Sequence, residues 1–188
     1  MTTAQSILSG YVNDMLAVER EIHQAFSRQK HDERVKRFPA ASVLVGSIED
    51  TIDAHIERVA ETLARLGASE SALKKAVGTV LGIVGGIYDK VRQDDKVSRL
   101  VRDDYAALSF AVVCYQMLHT TALALGDQRV AEMAIRHLED YATAIMRISA
   151  VVPPLVVQEL SSEAKIADDP KVAEEAVRHV RDAWQHAS

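Results

Sequence analysis

Residues 105–126 read YAALSFAVVCYQMLHTTALALG, a run without one Asp, Glu, Lys or Arg in a chain that is otherwise densely charged. A stretch like this is buried over most of its circumference or lies in a membrane. Its polar residues, Ser109, Gln116, His119, Thr120 and Thr121, are spread along its length, and Asp104 and Asp127 close its ends. The run reads as the central helix of a soluble all-helical bundle. It offers no carboxylate to a metal site.

The helices around it follow from spacing and punctuation. A first helix is expected over about residues 4–35, with Tyr11, Met15, Ile22 and Phe26 on one stripe. Phe38-Pro39 ends it, because proline disfavours helix at the residue before it. A second runs from about 40 to 66, with Ile48, Ile52, Val59, Leu63 and Leu66 facing inward and Gly67 at C′. Between residues 68 and 96, Gly78, Gly82, Gly85 and Gly86 weaken helix and mark a long connection. The four-residue spacing of Gly78, Gly82 and Gly86 suits close packing on a helix or on a second subunit, or a surface for an apolar ligand. The third helix, about 96–125, carries Val101, Leu108, Ala111, Tyr115, Leu118, Ala122 and Leu125 in a heptad-like row; Gly126 stops it and Asp127 caps the next. The fourth is expected from about 128 to 151, ended by Pro153-Pro154. A loose segment then leads to a last helix at 170–186, with Asp169 as N-cap and Pro170 first. Two hairpins joined by a long helix 2 to helix 3 crossover, plus an extra C-terminal helix, are the connectivity of an all-α, ferritin-like antiparallel four-helix bundle. Residues 1–152 would form the bundle and 153–188 a C-terminal extension.

Composition narrows the function. A 48% hydrophobic fraction with 5% aromatics and four prolines fits a helical protein of one domain. A net charge of −5 gives no broad cationic surface for nucleic acid, and acids interleave with the basic residues at 28–37. The single cysteine, Cys114, allows no intrachain disulfide and no Cys-based zinc site, and points to a cytoplasmic location. No signal peptide is evident at the N-terminus. Dense charge on the other helices argues against a transmembrane segment.

Asn13-Asp14-Met15-Leu16-Ala17-Val18-Glu19, Ile48-Glu49-Asp50-Thr51 followed by His55-Ile56-Glu57-Arg58-Val59, and Tyr115 with the Leu125-Gly126-Asp127 turn resemble the bacterial YciF/YciE-type ferritin-like stress proteins over about residues 5–150. The resemblance implies a ferritin-like bundle that commonly dimerises and is associated with stress responses, several members carrying a di-iron-like site.

A di-iron carboxylate site needs a Glu from each of two helices and a Glu-x-x-His pair from each of the other two. None of the seven histidines here has Glu or Asp three residues before it. Glu19 matches the helix 1 ligand, on the Met15, Ile22, Phe26 stripe. Position 52, three before His55, is Ile52, and the inward position of helix 4 is near Tyr141, with His137-x-x-Asp140 running the motif backwards. The metal candidates are therefore Glu19, His55 and His137, short of a complete di-iron site. A Glu19–His23 pair one turn apart is a chelate or an ordinary surface pair. No phosphate-binding glycine loop or nucleophile elbow is present. The leading expectation is a non-enzymatic, homodimeric, stress-associated or binding protein with a degraded di-iron site and no cofactor. The alternatives are a metal-dependent iron-handling protein or oxidase using iron or manganese, and a carrier of an apolar small molecule or lipid.

Overall fold

A computed structural model describes residues 2–67, 96–166 and 169–186. Among the described residues the chain is all-α, with six helices and no strand: α1 Thr3–Lys30, α2 Glu33–Lys36, α3 Pro39–Arg65, α4 Val97–Ala124, α5 Gln128–Glu163 and α6 Asp169–His186. The glycine-rich connection with Gly78, Gly82, Gly85 and Gly86 lies outside the described residues.

Local chemistry sets most boundaries. Thr2 caps α1 through a reciprocal pair with Gln5, Gln5 N–H donating to Thr2 Oγ1 at 3.2 Å and Thr2 N–H to Gln5 Oε1 at 2.9 Å. The expected first helix, 4–35, is in fact two. It breaks at His31-Asp32, because the Asp32 carboxylate accepts the Arg34 N–H at 2.8 Å and so starts the short α2. Pro39 occupies the first turn of α3, where its missing donor is harmless. Gly67 and Gly126 take φ of 85° and 75° just past α3 and α4. After α4, Asp127 N–H reaches back to the Ala122 carbonyl at 3.0 Å, and the Asp127 side chain accepts Val130 N–H at 3.1 Å to start α5.

The long helices pack around a square, α1 on α3 and α4, and α5 on α3 and α4, with α6 against α5. Side-chain pairs fix the directions. Gln29 bonds Asp104 at 2.7 Å while Glu19 meets Tyr115, so α1 and α4 are antiparallel. Arg65 pairs with Asp127 at 3.2 Å while Arg147 reaches Ser47 at 2.8 Å, so α3 and α5 are antiparallel too. With α1 and α3 joined by a short turn, α3 and α4 point the same way on a diagonal. The end of α3 and the start of α4 therefore lie at opposite ends of the bundle.

Apart from Tyr11, only half-buried at the start of the α1 stripe, the expected stripes are buried: Met15, Ile22 and Phe26 on α1, Ile48, Ile52, Val59, Leu63 and Leu66 on and at the end of α3, and Val101, Leu108, Ala111, Tyr115, Leu118 and Ala122 on α4. Leu125, placed in the same row, is 37% exposed because it sits at the C-cap, where the chain turns away. On its other face α4 leaves Val113, Met117 and Leu123 about half exposed. By length and composition alone, α4 and α5 are each apolar enough to cross a membrane.

The larger departure is α5, which does not end before Pro153-Pro154 but runs through both to Glu163. The prolines remove two backbone donors, yet tertiary contacts hold the far half in place. Leu155 and Val157 are buried, and Glu159 accepts the Ser98 N–H at 3.0 Å and the Ser98 hydroxyl at 2.5 Å. The N-cap of α4, Lys96, makes no side-chain cap bond, so the adjacent α5 supplies one. Val177, Val180 and Trp184 of α6 line a small crevice with Met146, Ser149 and Ala150 of α5.

Candidate functional site

At mid-height of the bundle the four long helices each send a polar side chain inward, and those side chains meet. Glu19 of α1 is fully buried. A buried carboxylate without partners would be strongly unfavourable. Its partners come from the other three helices: Tyr115 O–H donates to Oε1, Tyr141 O–H donates to Oε2, and His55 Nδ1 lies 3.2 Å from Oε1. The second His55 nitrogen, Nε2, lies 3.2 Å from the Asp140 carboxylate at the rim. His137 Nδ1 is 2.8 Å from the Tyr115 oxygen. The His55 and His137 rings are stacked, 3.7 Å apart and within 5° of parallel.

Proton positions follow from the donor inventory. His55 faces a carboxylate at each nitrogen, an arrangement suited to a ring that donates at both, an imidazolium. Tyr115 gives its single proton to Glu19. It therefore accepts from His137, which carries its proton on Nδ1 and leaves Nε2 as a bare, buried acceptor without a partner. The electrostatics agree. Burial alone pulls His55 down, but hydrogen bonds and charge from Glu19 and Asp140 outweigh it and hold the ring above its ordinary 6.5. His137 goes the other way, pushed down to about 2 by burial and then by the positive charges of His55 and Arg58. Burial, then the charge of Glu19, keeps Tyr115 a phenol, well above the usual 10.

The structure thus brings Glu19, His55 and His137 together, their ligand atoms within 4.8 Å of one another. It separates Glu19 from His23, which pairs instead with Asp53 on α3 at 2.9 Å. A di-metal centre does not fit the donor set: Glu19 is the one buried carboxylate in the cluster, and Asp140 is a rim residue 56% exposed. The side chains that α4 and α5 present to the Glu19 oxygens are tyrosines, not carboxylates. A single ion held by all three candidates does not fit this arrangement either. An imidazole binds a metal in its own ring plane at about 2.0–2.1 Å, and two parallel stacked rings share no such point. His55 and His137 could share one metal only after one ring had rotated.

A family model described as a domain of unknown function, DUF892, matches residues 3–161. The chain belongs to the DUF892 family. No curated protein matches it. The DUF892 region takes in α1 through nearly all of α5, and with them every member of the network, while α6 falls outside it.

Sequence reasoning missed the roles of Tyr115 and Tyr141, which entered only as inward positions. The signal was present: a carboxylate on an apolar stripe needs donors, and the inward O–H groups of α4 and α5 belong to these two tyrosines.

The histidine pair makes a pH dependence that can be measured. His55 faces Glu19, Asp140 and His137; His137 faces His55, Tyr115 and Arg58. The raised pKa of His55 adds stability that is complete below about 6.5 and lost as pH rises through its folded-state value. The lowered pKa of His137 adds stability that is present above about 6.5 and lost as pH falls below it. The pair is therefore most stabilising near pH 6.5. Between pH 6.5 and 5, urea unfolding should show stability falling at up to about 1.4 kcal/mol per pH unit from His137. His137→Asn should flatten that limb.

Proposed function

We propose that the chain is a ferritin-like antiparallel four-helix bundle in which a hydrogen-bonded, proton-filled network stands in place of a di-metal centre. It acts as a non-enzymatic, cytoplasmic, stress-associated or binding protein and works as a homodimer. The diagonal, parallel placement of α3 and α4 supports the ferritin-like reading, since it requires a crossover between the two hairpins. The likeness of residues 5–150 to YciF/YciE-type proteins supports the association with stress. The observation that carries the metal-free reading is the position of His55, clamped between the Glu19 and Asp140 carboxylates and stacked on His137, which suits an imidazolium beside a neutral ring. In that state a proton occupies each position from which His55 would bind an ion. Charged residues along α5, Arg129, Glu132, Arg136, Glu139 and Asp140, line an open groove and support a soluble bundle despite the apolar content of the helix. The half-exposed Val113, Met117 and Leu123 on α4 supply an apolar face for a second copy.

Metal analysis and light scattering on protein purified from iron-replete medium test this reading. The expected result is a colourless dimer with well under one equivalent of iron or manganese per chain. A stoichiometric metal centre overturns the metal-free reading, and a monomer overturns the dimer.

One observation favours a metal-dependent alternative, the bare Nε2 of His137. In that case added iron(II) or manganese(II) would bind at micromolar affinity, and His137→Asn would abolish the binding.

A further inference from the structure

The stacked rings of His55 and His137 lie at the floor of a groove of about 680 Å³ between α3 and α5. Both rings turn Nδ1 toward the hydrogen bond between Tyr115 and Glu19, so both turn Nε2 the opposite way. On that side His55 meets Asp140, an exposed residue of the groove wall. His137 Nε2 meets no partner among the described residues, although the residue is only 2% exposed. Buried polar atoms are nearly always hydrogen-bonded, so a bare acceptor aimed at a groove marks a place for a donor.

The surroundings select the kind of donor. The positive charges of His55 and Arg58 help to keep a proton off Nε2, and they oppose a cationic donor for the same reason. A fully ionised anion has no proton to give. The walls discriminate in the same way: Arg58, Arg129 and Arg136 alternate with Glu61, Glu132 and Glu139 along α3 and α5, and among the described residues none of the six is in an ion pair. An ion of either sign meets like charges there. A neutral hydroxyl group meets none, because it donates to a carboxylate or to Nε2 and accepts from a guanidinium.

We propose that the groove binds a small neutral polyol or monosaccharide, one hydroxyl donating to His137 Nε2 and the others bridging the carboxylates and guanidiniums of the walls. This names the ligand class of the binding protein proposed above and rests on its metal-free state, since a metal ion on His137 would take the same nitrogen. Sites for small molecules have volumes of about 300–1,000 Å³, and the groove falls within that range. Met133, half-buried on the groove wall, offers apolar surface to the C–H face of a sugar ring. Arg58, Arg136 and Glu139 are exposed, so their side chains can move aside as a hydroxyl reaches the buried nitrogen.

The test is a nitrogen NMR titration of the full chain, labelled with 15N-histidine and of measured metal content. The probes are myo-inositol and D-glucose, with citrate and putrescine as anionic and cationic comparisons. The expected result is saturable binding of at least one of the two polyols with a Kd of about 1 mM or tighter, accompanied by a shift of the His137 Nε2 resonance. His137→Phe removes the acceptor and should weaken that binding by about tenfold or more, tenfold corresponding to about 1.4 kcal/mol. Should His137→Phe fail to fold, the wild-type Nε2 resonance decides, together with Arg136→Ala, an exposed position at which weaker binding is also expected. Polyol binding that leaves the Nε2 resonance in place, or that is unchanged in His137→Phe, overturns the site. Binding of citrate or putrescine in preference to both polyols overturns the ligand class. Metal-free protein that binds neither polyol defeats this proposal alone, whereas protein found with metal on His137 defeats both readings.

Discussion

Glu19→Ala lowers the stability of the fold by about 3–5 kcal/mol, the cost of breaking a buried pair by removing one partner. The truncation leaves three donors facing a cavity, the Tyr115 and Tyr141 hydroxyls and the His55 Nδ1–H, and the last belongs to a charged ring. Asp140 is too exposed to compensate for the loss. The variant should therefore release the His55 proton, bringing its pKa down toward the ordinary value as it loses its principal partner. Glu19→Gln keeps one acceptor oxygen and should cost less, about 1–3 kcal/mol. Urea unfolding of the three proteins checks the order. Equal stability of wild type and Glu19→Ala would mean that the network contributes nothing net to the fold.

The second large effect is at Tyr141. Phenylalanine fills the same space on α5 but removes the hydrogen bond to Glu19 Oε2, leaving that oxygen buried and unpaired. A hydrogen bond to a charged group is worth about 1.5–3 kcal/mol, and that is the expected loss. The loss should depend on the charge it serves. In the Glu19→Gln background Tyr141→Phe should cost less, with a coupling of about 0.5–3 kcal/mol between the two positions. Additive costs in the double-mutant cycle would contradict the assigned contact.

Much of the fold was legible because its determinants are local. The uncharged run at 105–126 marks α4, Pro39 opens α3, and Gly67 and Gly126 close α3 and α4 with positive φ. The two misplaced ends have non-local or competing causes. Pro153-Pro154 reads as a stop, but the helix continues because Leu155, Val157 and Glu159 have partners elsewhere in the bundle. The break at His31-Asp32 was hidden inside a stripe of regular spacing, where an aspartate capping its own downstream turn outweighs periodicity.

The site was legible in part. Glu19, His55 and His137 could be picked as inward polar residues, and the three do converge. Their chemistry could not be read the same way, because spacing along one helix says nothing of what the other three present at the same height. The hydroxyls of Tyr115 and Tyr141, the rim position of Asp140 and the stacking of the two imidazoles are properties of the assembled bundle. Those features decide between a cation and a proton at Glu19.

The state of the two imidazoles tests that choice most directly. Nitrogen NMR of 15N-histidine-labelled protein distinguishes protonated, neutral and metal-bound ring nitrogens. At neutral pH the prediction is that both His55 nitrogens carry protons, while His137 is neutral with its proton on Nδ1 and Nε2 bare. Addition of one equivalent of zinc(II) should leave this pattern unchanged. A neutral His55, or zinc-induced shifts at both rings with stoichiometric binding, would contradict the proton-filled network.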